Sequence, residues 1–197
     1  MPFIGNKPSA VPLTSADIAD GIITSAKITN GTIAIADFSA TGTPSASTFL
    51  RGDNAWGSAG ASAGQVIQVL GATETTQRST SSTSFVTASN TLSVSITPSS
   101  ASNKIAIFVS HYYYSETYGY YTIFRDATNL GGSNGFGLGN GLSGTLDNNV
   151  SYNFLDSPNT TSSITYQVYM RRGGASNNVY LGGNNITAQI IVMEIKG

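Results

Sequence analysis

At 197 residues the chain has room for one ordinary domain and an appendage. Charged residues make up only 10% and the net charge is −1, so no basic surface for a phosphate backbone is expected and nucleic acid is not an expected partner. Cysteine is absent, which excludes disulfides and thiolate metal sites. The single histidine, His111, cannot hold a metal without several carboxylates, so no cofactor is expected.

The first residues, Met1-Pro-Phe-Ile-Gly5, contain neither a basic stretch nor an apolar run of the kind that directs secretion. No segment approaches the roughly 18 apolar residues of a membrane span, so membrane insertion is not expected. Hydrophobic residues nevertheless make up 40% of the chain, with Tyr 10 and Phe 8, enough for a core. The polar remainder is dominated by Ser, Thr, Asn and Gly, the residues of turns and solvated strand faces. The composition is that of a β-rich protein.

Residues 1–13 hold Pro2, Pro8 and Pro12 with apolar points at Phe3, Ile4, Val11 and Leu13. Proline fixes φ and removes donors, so this segment reads as an extended docking piece ordered by what it binds, with a frayed terminus as the alternative. Residues 14–46 repeat one decapeptide three times: Ser15-Ala-Asp-Ile-Ala-Asp-Gly-Ile-Ile-Thr24, Ser25-Ala-Lys-Ile-Thr-Asn-Gly-Thr-Ile-Ala34 and, more loosely, Ile35-Ala-Asp-Phe-Ser-Ala-Thr-Gly-Thr-Pro44. Ile18, Ile28 and Phe38 share one phase and Ile23 and Ile33 another. Gly21 and Gly31, preceded by Asp20 and Asn30, mark chain reversals and exclude a long helix. Two or three apolar side chains per repeat cannot close a core within one chain. Three parallel copies around an axis could, and the expectation is a trimeric stalk, with a flexible linker as its rival.

Residues 47–64 form a turn followed by a small-residue linker, Gly57-Ser-Ala-Gly-Ala-Ser-Ala-Gly64. Arg51-Gly52-Asp53 matches an adhesion triplet, but Gly52-Asp53-Asn54 reads more simply as a tight turn that places Phe49, Leu50 and Trp56 on one side. From residue 65 to 197 the pattern changes to period two. Strands are expected over 65–70, 85–96, 104–110, 120–125, 152–155, 164–170 and 186–195. Strands of this number and spacing predict an antiparallel β-sandwich, most simply a jelly roll.

Within this domain Tyr112, Tyr113, Tyr114, Tyr118, Tyr120 and Tyr121 crowd a strand-turn-strand. Alternation forbids burying all of them, so Tyr112, Tyr113, Tyr114, Tyr118 and Tyr120 are candidate receptor contacts, with sheet packing or a subunit interface as the alternative. Asn177 and Asn178 join them as turn residues with polar side chains. The glycine-rich run 131–144 reads as a surface loop. Glu116, Asp126, Asp147 and Asp156 are isolated in sequence, whereas glycan hydrolysis needs a carboxylate pair, and no nucleophile motif surrounds any serine. Enzyme activity is not expected.

Five stretches carry a resemblance. Met1-Pro-Phe-Ile-Gly-Asn-Lys-Pro8 resembles the start of many tail-fibre and appendage proteins of tailed bacteriophages, and Thr48-Phe-Leu-Arg-Gly-Asp-Asn-Ala-Trp56 the phrase that closes their repeat regions. Ser93–Ile105, Leu155–Tyr169 and Ile186–Ile195 resemble a β-domain found at the distal end of fibre-like proteins, especially of marine and cyanobacterial phages. The resemblance implies a homotrimeric virion protein, made in the host cytoplasm. It would dock on another virion protein through its N-terminus and present its C-terminal domain to a host-surface glycan or protein. The chain is short for a tail fibre, which leaves a head fibre or capsid decoration protein as the alternative and a glycan depolymerase as a third.

Overall fold

The computed structural model describes residues 18–34, 37, 39–58, 60–115, 118–139, 146–174, 177–183 and 185–197. The chain divides into two compact units, 1–60 and 61–197. The expected docking residues Phe3, Ile4, Val11 and Leu13, and Phe38 of the stalk, lie outside the described residues.

In the first unit the decapeptide is a structural repeat. Ile22 N–H bonds to the Ala19 carbonyl and, ten residues on, Thr32 N–H to the Thr29 carbonyl; Lys27 bonds to Thr24 and Asp37 to Ala34 in the same way. Two tight turns thus recur in every ten residues between Ala19 and Asp37. Gly21 and Gly31 sit at φ +76° and +81° with open space where a Cβ would stand, so only the left-handed backbone calls for glycine. These bonds are local and bury nothing: Ile18, Ile23, Ile28 and Ile33 are exposed on the single chain.

The repeats lead into a hairpin of β1 (Thr48–Leu50) and β2 (Trp56–Ser58), with Leu50 opposite Trp56 and Phe49 opposite Gly57. Alternation therefore puts Phe49 on the opposite face from Leu50 and Trp56, contrary to the expectation that the three share a side. Arg51-Gly-Asp53 forms the turn, closed by an Arg51–Asp53 ion pair at 3.1 Å.

The second unit contains β3 (Val66–Glu74), β4 (Arg78–Thr80), β5 (Val86–Thr87), β6 (Ser93–Ile96), β7 (Lys104–Ser115), β8 (Gly119–Arg125), β9 (Thr128–Asn129), β10 (Gly137–Gly139), β11 (Leu146–Asp156), β12 (Ile164–Arg172), β13 (Val179–Leu181) and β14 (Ala188–Ile195). All pairings among them are antiparallel. One edge of β7 pairs with β11; the other pairs with β14 and then β13, which lie end to end and carry β3 and β4 beyond them. In the second sheet β8 lies between β12 and the β9/β10 lane, and β12 carries β6 and β5 on its far edge. Numbering these lanes in chain order, the β7 sheet runs 1-8-3-6 and the β8 sheet 2-7-4-5. That connectivity is a jelly roll, and the molecule is mostly β as its alternation predicts.

Inward-facing residues of the two sheets make the core: Ile105, Ile107, Val109 and Tyr113 of β7 meet Tyr121 and Ile123 of β8 and Tyr166, Val168 and Met170 of β12. The expected single strand 85–96 is two, β5 and β6. It breaks because the Ser89 and Thr91 hydroxyls turn to bond Glu74 while Ala88 and Leu92 still bury their side chains. Among the described residues no helix is long and apolar enough to cross a membrane.

Candidate functional site

The chain enters the sandwich at one end, where Gly64 N–H bonds to the Lys196 carbonyl and Lys196 N–H to the Gln65 carbonyl. Lys104 of β7 pairs with Ile195 at this same end. Tyr114 is ten residues further along β7, roughly 33 Å of extended strand away.

There Tyr114 pairs with Tyr180 of β13, their rings edge to face with centroids 5.4 Å apart. Together with Asn177 and Asn178 they line an open recess of about 360 Å³. Asn177 has φ +72°, a left-handed position that asparagine tolerates and that turns the chain into β13. The described lining is wholly uncharged. It offers two phenol hydroxyls, two aromatic faces and two carboxamides, each carboxamide with donors and an acceptor oxygen. Such a surface suits a ligand rich in hydroxyl groups better than an ionic one.

The structure thus brings together three of the sequence-nominated residues, Tyr114, Asn177 and Asn178, and separates the others. Tyr112 and Tyr113 are buried, 5% and 0% exposed, and are removed from the surface set. Tyr113 points into the core, where a Cβ on Gly139 would come within 2.4 Å of its ring; Tyr112 is covered by the turn at Gly182 and Gly183. Close approach to aromatic rings also explains part of the glycine-rich run: a Cβ on Gly137 would stand 2.8 Å from Val150 and 3.0 Å from Tyr152. Tyr120 belongs to β8 of the other sheet, and Tyr118 lies just before that strand, its carbonyl accepting the Gly173 N–H. Tyr120 lies under the Arg171 guanidinium at 4.1 Å, and Arg171 also bonds the Ser133 carbonyl and the Asn134 side chain. Sequence reasoning missed Tyr180, because the three residues Val179-Tyr-Leu181 are too few to show a strand's period.

The buried carboxylates are structural clamps between the sheets. Burial alone would raise the Glu74 pKa, but hydrogen bonds from Ser89, Thr91, the Thr76 N–H and Arg78 override it and hold the carboxyl well below its usual range. Burial likewise opposes ionisation of Glu194, yet Asn103 and Ser99 donate to it and its pKa is lowered. Asp156 accepts both contacts of Arg125, at 2.9 and 2.8 Å, and the Tyr166 hydroxyl at 2.6 Å. Asp126 accepts the Thr165 N–H at 2.9 Å. Glu116 and the side chain of Asp147 lie outside the described residues. Among the described residues no cluster of three or more His, Cys, Asp or Glu could hold a metal ion.

His111 lies within β7 and faces the core, rather than ending a strand. Its ring packs 4.2 Å from Tyr121 and 6.0 Å from Tyr152, and burial lowers its pKa to about 4. Its Nδ1 lies 3.2 Å from the Tyr112 carbonyl.

No protein-family model and no curated protein matches the sequence. Among solved structures, the chain is similar to one in the structure of infectious bursal disease virus, Gx strain, with a TM-score of 0.43 and 16% identity over 73% of this chain and 34% of that one. This chain therefore spans about a third of the length of that relative.

Proposed function

We propose that the protein is a homotrimeric structural component of a bacteriophage virion, a short tail fibre or spike that docks by its N-terminus and presents the jelly roll for adsorption to a host-surface glycan or protein. The observation that carries this reading is the placement of the Tyr114–Tyr180 recess, whose described lining is uncharged, at the end of the sandwich far from where the chain enters. The in-phase exposed isoleucines and the resemblance of the N-terminal and repeat phrases support the virion assignment. Weak contacts suffice at such a site, because several copies per particle multiply their effect.

The test is competition. Purified protein should inhibit adsorption of the virion to host cells, and Tyr114→Ala/Tyr180→Ala should reduce inhibition at least tenfold. Wild-type protein that neither binds cells nor competes would sink the reading. A second reading, a capsid head fibre or decoration protein, is favoured by the jelly-roll connectivity, an architecture common in capsid shells as well as lectins. Electron cryo-microscopy of the virion separates the two by locating the protein on tail or head. The function is taken as non-catalytic: Glu74, Asp156 and Glu194 are all engaged in holding the sheets together, and a depolymerase would release reducing ends from host polysaccharide.

A further inference from the structure

The outer face of the β7 sheet carries an apolar row that crosses all four lanes. By register Leu155 lies beside Ala106, Ala106 beside Met193, and Met193 beside Val69. The next row adds Phe108 beside Ile191. Val69 is 57% exposed, Leu155 52% and Phe108 45%. The outer face of the β8 sheet differs. There Phe124 stacks on Tyr169 at 4.0 Å, Arg171 lies over Tyr120, and Thr122 is fully covered, so the centre of that face is closed by its own side chains and, among its described large apolar residues, only Leu138 stands exposed beside Tyr120 at its edge.

We infer that this apolar end of the β7 sheet packs against sibling chains around the trimer axis. The inference rests on the trimeric reading above and assigns it a surface. Three features favour copies of this chain as the occupant. The patch borders the point where the chain enters the domain: β3 begins at Val66, one residue after the Gln65–Lys196 pairing. Chains joined through the repeats would hold their β3 strands at high local concentration, because only a short linker separates the two in sequence.

Second, the patch holds no charged side chain, and the exposed Lys104 stands only at its rim. Third, its size fits an interface held from elsewhere. Four lanes about 4.8 Å apart and two rows about 6.8 Å apart cover roughly 260 Å². A free-standing complex buries about 800 Å² per partner. The face is thus too small to assemble the domain alone and large enough to pack once the repeats have raised the local concentration.

The absence of cysteine allows a unique label in this 197-residue chain. Pyrene attached to Phe108→Cys should give excimer fluorescence in protein that sediments at three times 20.4 kDa. Pyrene at Leu138→Cys, 53% exposed on the other sheet, should not. A trimer without excimer at 108, or with it at 138, overturns the assigned face and leaves the trimeric reading standing. A monomer overturns both. As a second measurement, Val69→Glu/Met193→Glu should leave the trimer formed but speed subunit dissociation about tenfold. An unchanged rate with an intact β spectrum, or a loss of host adsorption alone, would mean that the face does not hold siblings.

Discussion

Ile28 and Ile107 are the same side chain in two settings. Ile28 is 38% exposed in a repeat whose hydrogen bonds close within five residues, from Ala19 to Ile22, Thr24 to Lys27, Ser25 to Ile28, and the Lys27 ammonium to the Ile22 carbonyl. Ile107 is fully buried on a strand flanked by Val192 and Phe154, residues far along the chain. Fixing a residue costs about 1–2 kcal/mol and a hydrogen bond returns about 1, so turns alone do not hold a segment in one conformation. The jelly roll meets that cost by long-range burial inside one chain. The repeats set their isoleucines in phase and leave them exposed. One region therefore encodes a fold, and the other, on the proposed reading, an association.

Breaking the association should have the largest effect. Ile18→Asp/Ile28→Asp is expected to bring the sedimenting mass down to the single-chain 20.4 kDa while the melting of the jelly roll is unchanged. An intact trimer in this variant would refute the stalk. Next, Ile107→Ala should destabilise the jelly roll by about 3 kcal/mol through a cavity between the sheets, read by urea denaturation, with the assembly retained under native conditions.

The third effect is comparable and depends on pH. His111 binds a proton less readily folded, at about 4, than unfolded, at 6.5. As pH falls the unfolded chain protonates first, so stability is complete above pH 6.5 and declines towards pH 4 by about 3 kcal/mol. Glu74 and Glu194, whose pKa values are lowered, add their losses only below about 4.5. In His111→Phe the decline between pH 6.5 and 4.5 should therefore vanish, and a persisting slope would contradict the buried imidazole. The smallest effect sharpens the repeat. Gly31→Ala should weaken the stalk by about 1 kcal/mol per chain through the left-handed φ alone, and Gly31→Asn by less, seen as shifts in the midpoint of subunit dissociation.

Much of the fold could be read from residues. The alternation in Ile164–Met170 marks β12, the run Ile105–Val109 the central strand, and the β-branched positions from 186 to 195 the closing one. The turns at Asn159, Asn177 and Asn185 adopt φ of +52°, +72° and +58°, as their residue type allows. The short strands β4 and β13 were not legible, because three residues are too few for a period to show. The candidate site was half legible: Tyr114, Asn177 and Asn178 were named from unrelated stretches, and nothing in their spacing says that β13 lies beside β7.

The sequence by itself determined local geometry: where the chain reverses, which strands alternate, and the ten-residue phase of the isoleucines. These depend on φ preference and on side-chain periods of a few residues. Tertiary structure alone decided which tyrosines are core and which are surface. Adjacent Tyr112, Tyr113 and Tyr114 have identical side chains, and their fates differ because β10, the turn at Gly182 and β13 come from distant parts of the chain to cover two and leave one. It also decided that Glu74, Asp156 and Glu194 join sheets, since a carboxylate's donors across a sandwich are set by topology and leave no mark in its neighbours in sequence.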